Sequence, residues 1–524
     1  MTPTQRSEAG IHTTSPFLPS FFQVEASLLT CSPGPSPLVT LSSDVSWNPY
    51  IYLLSSALAV PVHDVSMHTW LAADYHESGQ SQPGFCADRF SSKYLQDLRD
   101  HAGSYCSPGS RSNLTCFHSR KASGGLVDSF CIGRGASFDV GTSKFALQCP
   151  VRTLNANETA SGLVQFDQIR GYWYDTGPSQ IFNNFVDIKA GLATPDRTED
   201  QGKNTNDKAT PPRFYLLLKR EGETNPWHCL MEIWSAGMTL DVLSMTRDPL
   251  GNDGPFFRPK EDAPDTQVVI LDDRQDGPYF DLWTLFAKRK PVRLKELLAA
   301  PAPSTNASII VPLAGGSNPL WQNDWAVRRC TAATTLNAFS RRVLDFYGVT
   351  DDPPAPPTNK TTDDDNDNNN AIVVTFIDRT STRRLQDQDR LFAALRERVP
   401  HVSVRLVDFA ALPFAEQLRV ARTTDVLVGV HGAGLTHAMS RAGVIQPADL
   451  RHNGFRNLAA MRGLGFFRVH AANTGAGGGG AAAVRRRGSW QWNDVRLEEE
   501  RFLEVMSAAI KSLYARGRWN YDVN

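Results

Sequence analysis

The run Asp425-Val-Leu-Val-Gly-Val-His-Gly-Ala-Gly-Leu-Thr-His437 decides how the C-terminal part of this chain is read. Val426, Leu427, Val428 and Val430 make a short, β-branched-rich apolar stretch, the composition of a strand buried on both faces. Gly432 and Gly434 lack Cβ atoms, so the backbone can turn there and approach a ligand, and Leu435–Met439 is expected to open a helix. The first amides of a helix have no partner within it, and its dipole favours negative charge. A strand, glycine-rich turn and helix in this order predict either a phosphate site or a tight connection with no ligand.

Upstream of that run, Ala371–Ile377 is a second apolar strand, followed by Asp378-Arg-Thr-Ser-Thr-Arg-Arg384. A helix over 389–398, a strand over 401–407 and a helix over 413–422 complete a βαβαβ alternation. Such alternation predicts a parallel sheet flanked by helices, with ligands at the carboxyl ends of the strands. Both Arg379 and His431 fall at such ends. The planar fork of Arg379 and the backbone amides of Gly432, Ala433, Gly434, Leu435 and Thr436 together describe a clamp for a nucleotide diphosphate. A dinucleotide dehydrogenase fits less well, because His437 stands where a G-x-G-x-x-G pattern needs its third glycine.

At 524 residues the chain exceeds what one core serves, which predicts two domains. Residues 1–70 are expected to be disordered or signal-like. They begin rich in Ser, Pro and Thr and hold Ile51–Val62, an apolar run too short to span a bilayer but suited to a signal core if translation starts downstream. Residues 84–346 are expected to form a cysteine-containing domain. Residues 347–370, with Pro353-Pro-Ala-Pro-Pro357 and Asp363–Asn370, are a low-complexity linker or insertion, and 371–515 are expected to form a second domain. Within the first domain, Phe90, Tyr94, Leu95 and Leu98 keep helical spacing, the segment to Cys149 reads as an irregular or short-stranded covering layer, and 190–211 is polar linker. Phe214–Leu218, Val268–Leu271 and Ile309–Pro312 read as strands, and 333–346 as a helix. Asn225-Pro-Trp-His228 starts another helix, on which His228 and Glu232 share a face; they form either a surface pair or a pair aimed into a cleft. The acidic loop Asp272–Gly277 is either a solvated turn or a holder for a divalent metal bridging a diphosphate.

Lys and Arg number 54 against 55 Asp and Glu, so no cationic excess exists to neutralise a nucleic-acid backbone. Five of the eight cysteines lie between Cys86 and Cys149 without a Cys-x-x-Cys pair, which favours disulfides over metal ligation. Sequons at Asn113, Asn157, Asn306 and Asn359 agree with a secretory protein.

Thr375–Arg384, Glu416-Gln-Leu-Arg419 and the Asp425–His437 block resemble the family 61 glycosyltransferases, above all the members that modify EGF-like domains. Phe85–Phe90, Asn225–His228, Asp276–Trp283, Gly454–Ala459 and Trp492–Val495 support the resemblance, which covers roughly residues 84–515. It implies a GT-B-like α/β fold of two domains, 84–346 on the acceptor side and a Rossmann-like 371–515 as the nucleotide-sugar domain. It also implies inverting transfer of N-acetylglucosamine from UDP-GlcNAc to Ser or Thr of a folded EGF-like domain in the endoplasmic reticulum lumen. It leaves His228, Glu232 and His431 as candidates for the catalytic base, and a divalent metal as an open addition. Two departures stand out. The segment Ser440–Pro447 is several residues shorter than the family pattern and lacks its strand-terminal Glu, and the end Asn520–Asn524 carries no lumenal retention signal. The first departure keeps a nucleotide-sugar-binding pseudoenzyme in play, and pocket shape leaves another donor such as UDP-xylose, or a glycan acceptor, as further alternatives.

Overall fold

The computed structural model describes residues 74–76, 82–120, 126–190, 213–222, 225–250, 254–299, 306–349, 371–437, 441–447, 450–474, 492–514 and 520–523. The expectations placed on 1–70, 191–211 and 351–370 lie outside them. The described chain carries two sheets within one compact unit, Met67–Asn524.

The sheet that contains Val426–Val430 has seven strands. Its order is Val402–Val407, Ile372–Ile377, Val426–Val430, Arg441–Pro447, Phe466–Asn473 and Val495–Arg496, with Asn520–Val523 also on Phe466–Asn473. Every pairing is parallel except that of Val495–Arg496. All five side positions of Val426–Val430 are buried, as its unbroken apolar run requires of a central parallel strand. Its register against Ile372–Ile377 pairs Ile377 with Gly429, so the two strands end side by side. That alignment sets the Asp378–Arg384 loop next to His431 and Gly432.

The second sheet has nine strands, running Ala102–Ser104, Asn113–Ser119, Asp128–Asp139, Ala307–Val311, Phe214–Leu218, Thr266–Ile270 and Val292–Arg293, with Lys144–Gln148 and Val186–Lys189 attached. The cysteine-rich segment is therefore no covering layer; it supplies the antiparallel half of this sheet, including a 12-residue strand. Its alternation is masked because most positions of both long strands are buried. Disulfides join Cys116 to its direct cross-strand partner Cys131, Cys106 to Cys149, and Cys86 to Cys330, the last across 244 residues. Cys229 is buried and free.

Helix Pro226–Met245 is apolar around nearly its whole circumference. Asn225 caps it by accepting from the Trp227 amide, and Pro226 takes the first-turn position where a missing N–H costs nothing. Trp227, Trp234 and Leu240 belong to a core that runs without a break into Ile377, Phe409, Leu427, Leu435 and Phe455 of the other sheet's layer. Asn457 fastens the same junction: its side chain accepts from the Arg328 amide and donates to the carbonyls of Asn323 and Ala326. No helix among the described residues is long and apolar enough to cross a membrane.

Candidate active site

A cleft of about 1130 Å³ opens where the two parallel strand ends meet the start of helix Pro226–Met245. One wall is cationic. Arg379 donates its Nε–H to the Thr382 carbonyl, which turns the rest of the guanidinium back over Gly432. A Cβ on Gly432 would stand 2.6 Å from Arg379 Nη1 and 3.4 Å from Arg383 Nη1. The glycine thus serves close approach rather than an unusual backbone angle, since its φ is not in the left-handed region. Arg383, at φ +56°, donates to the His431 carbonyl at 2.9 Å. Both guanidinium groups are pulled below their ordinary basicity. For Arg379 burial is the cause, opposed by the charge of Asp408; for Arg383 burial and then Arg379 bring it to about 10. Two desolvated cations that raise each other's free energy form a site that an anion would stabilise.

His431 lines the same wall, 5% exposed. Burial pushes its basicity well down, and His452, Arg383, Arg379 and Arg468 add to the effect, so it is held neutral. His437 is packed between Phe409 and Phe414 with Nδ1 2.8 Å from the Gly434 carbonyl; burial lowers it to about 4. It supports the floor from below. The turn itself departs from expectation: Ala433–His437 is a single short 3₁₀ helix instead of the start of an α-helix at Leu435. Only ten residues separate Val430 from the parallel strand at Arg441, too few for the usual helical crossover.

The opposite wall is aromatic and acidic. His228 projects into the cleft from the first turn of its helix, held edge-to-face against Trp321 (4.3 Å between centroids) and Tyr174 (5.6 Å). Its expected face-mate Glu232 does not meet it. Glu232 is 6% exposed and accepts the Glu221 amide at 2.5 Å. The acid facing His228 is Glu221, whose side chain is fully buried with Oε2 3.6 Å from His228 Nδ1. Burial raises Glu232 well above the ordinary carboxylate range, and the Glu221 charge adds to it.

The acidic loop is already committed. Asp272 and Asp276 bind the guanidinium of Arg220, and Asp276 also takes Arg293. Among the described residues no group of three or more His, Cys, Asp or Glu could hold a metal ion.

Arg379, His431, the Gly432–Thr436 turn and His228 thus come to one region, with Arg379, His431, Gly432, Ala433, Gly434 and His228 on the cleft itself. Glu232 does not reach it. Sequence reasoning missed Arg383, although it lies in the same loop as Arg379, and missed Glu221 and Trp321. Glu221 follows a strand by three residues and precedes His228 by seven, in a loop with no periodicity to show which way its side chain turns.

Buried arginines thus lie over a glycine floor at the ends of parallel strands, opposite a histidine, in an α/β protein. Residues 279–443 match the family model Glycosyltransferase 61. The EGF domain-specific O-linked N-acetylglucosamine transferase of Drosophila melanogaster is 28% identical over 207 residues, 38% of this chain and 36% of that protein. Its counterparts in Xenopus laevis and Mus musculus are each 32% identical over 123 residues, 23% of this chain and 21% of theirs. The matched stretches therefore span well under half the length of these relatives.

Proposed function

We propose that the protein is an inverting glycosyltransferase that moves N-acetylglucosamine from UDP-GlcNAc to Ser or Thr hydroxyls of EGF-like domains in the secretory pathway, within the endoplasmic reticulum lumen. The observation that carries this reading is the pairing of Arg379 and Arg383 over Gly432 in the same cleft as His228. The family match and the names of the relatives supply the sugar and the acceptor. Disulfides suit the oxidising compartment. In this reading the two sheets are the two lobes of a GT-B-like enzyme.

The acceptor hydroxyl oxygen attacks C1 of the sugar while the bond from C1 to the diphosphate oxygen breaks, and UDP departs with the electron pair. Arg379 and Arg383 neutralise the charge that grows on the diphosphate, where pre-aligned cations contribute most in a partly dry site. His228 takes the acceptor proton. His431, held neutral among cations, is better suited to hydrogen-bond the donor than to collect a proton. Incubation of the purified protein with UDP-GlcNAc and a folded EGF domain should add one N-acetylhexosamine by intact mass, and Arg379→Ala should abolish the addition. Absence of transfer with every UDP-sugar tried would remove the proposal.

A second reading, nucleotide-sugar binding without turnover, draws on one observation, the short connection between Val430 and Arg441 beside the donor floor. UDP binding in calorimetry without any transfer would favour it.

A further inference from the structure

The catalytic wall contains two carboxyl groups where one histidine would need at most one. Glu221 and Glu232 are both buried, and their closeness depends on Gly315: a Cβ there would stand 2.5 Å from Glu232 Cγ and 3.4 Å from Glu221 Oε1. The two acids are not equivalent. Glu232 Oε1 is tied to the Glu221 backbone, and burial next to another carboxyl keeps this group protonated. Glu221 Oε1 accepts the Gly316 amide at 3.0 Å and the Thr176 hydroxyl at 3.4 Å. Its other oxygen, Oε2, is buried without a hydrogen-bond partner among the described residues, and the group it faces is His228 Nδ1 at 3.6 Å. The neighbouring cation Arg220 aims its guanidinium at Asp272 and Asp276 instead.

A separation of 3.6 Å is too long for a hydrogen bond but suits an ion-pair contact that tightens when the cleft fills. A buried carboxylate oxygen without a hydrogen bond is costly, and a modest turn of the imidazole would satisfy it. We propose that Glu221 is the positioning residue of His228: it receives the Nδ1–H, fixing the tautomer in which Nε2 presents its lone pair to the cleft. Resting on the transferase reading for its kinetic consequence, this assigns each proton. The acceptor hydroxyl gives its proton to His228 Nε2 as its oxygen bonds to C1, UDP leaves with the electron pair, and the resulting imidazolium stands against the Glu221 carboxylate. Glu232, anchored to the Glu221 amide, fixes where that carboxylate begins.

The test has two arms. Nitrogen NMR of histidine-labelled protein, with the His228 signal assigned by loss in His228→Gln, should show the Nδ1–H tautomer in the wild type and a shift towards Nε2–H in Glu221→Gln. Unchanged UDP affinity in Glu221→Gln checks that the fold survives. In steady-state transfer, Glu221→Gln should lower kcat by about 100-fold with the donor KM within about twofold, and Glu221→Asp should restore part of the loss. A wild-type His228 in the Nε2–H form, or a tautomer that does not respond to Glu221→Gln, overturns the assignment, as does an unchanged kcat in that variant. If the wild type transfers no sugar, the proposed function fails while the tautomer arm still decides the role of Glu221.

Discussion

The two walls of the cleft store buried charge of opposite sign, and they handle it differently. On the donor wall Arg379 and Arg383 lie side by side under partial burial, each made less basic by its surroundings. On the acceptor wall Glu221 and Glu232 lie side by side under complete burial, and the strain is relieved by leaving a proton on Glu232. Arginine cannot take that escape at ordinary pH, so the donor wall keeps its full charge for a ligand. The acid pair, with a proton retained on Glu232, faces a histidine through Glu221. In the proposed reaction one wall holds an anion and the other accepts a proton.

The largest effect should fall on the acceptor wall. His228→Gln is expected to lower kcat by about 10²–10⁴-fold, the usual contribution of a general base, with little change in the donor KM. Steady-state kinetics checks it, and a rise in KM with kcat preserved would break the division of labour between the walls.

Next comes the acid response of the floor under the donor wall. His437 is neutral in the fold, at about 4 against 6.5 for a free imidazole, so an unfolded chain binds more protons between these values. Its contribution is complete above about pH 6.5 and is lost as pH falls to about 4, amounting to about 3 kcal/mol. Urea unfolding between pH 7 and 4 should therefore show a steeper loss of stability in the wild type than in His437→Gln.

Gly432→Ala sharpens the donor side. The added methyl must displace the Arg379 guanidinium it would meet at 2.6 Å, and UDP affinity should weaken by about tenfold, the worth of roughly 1.4 kcal/mol. The smallest effect concerns Glu232. Its raised proton affinity contributes stability below the carboxylate's usual 4.5, and that contribution is lost as pH rises, when the unfolded chain ionises and the folded one resists. Glu232→Gln should raise the unfolding midpoint at pH 7, and the gain should vanish below pH 4.5.

Much of the donor wall was legible in the sequence because its parts are local. A run such as Val426–Val430 can only be a doubly buried strand, and glycines directly after it mark close backbone approach. The supporting blocks also gain physical roles: Cys86 is disulfide-bonded to Cys330 and Arg89 binds Asp128, Asp494 holds Arg384, and Asn457 ties the loop around Arg328. The acceptor wall was legible only in part. Helical spacing correctly put His228 and Glu232 on one helix, but periodicity cannot tell a cleft-facing residue from one turned towards Gly315. Glu221 precedes His228 by only seven residues, but it sits in the loop before the helix, where no periodic pattern says which way its side chain turns. The cysteine segment failed for a different reason, since strands buried on most positions lose the alternation that identifies them.

Calorimetric titration of UDP into the wild type, His228→Gln and Arg379→Ala tests most directly the claim that one wall holds the diphosphate and the other takes the proton. The wild type and His228→Gln should bind UDP with equal affinity, and Arg379→Ala should lose about 10–100-fold, as expected for charge-assisted hydrogen bonds. Equal affinity in all three proteins, or a loss confined to His228→Gln, would contradict it.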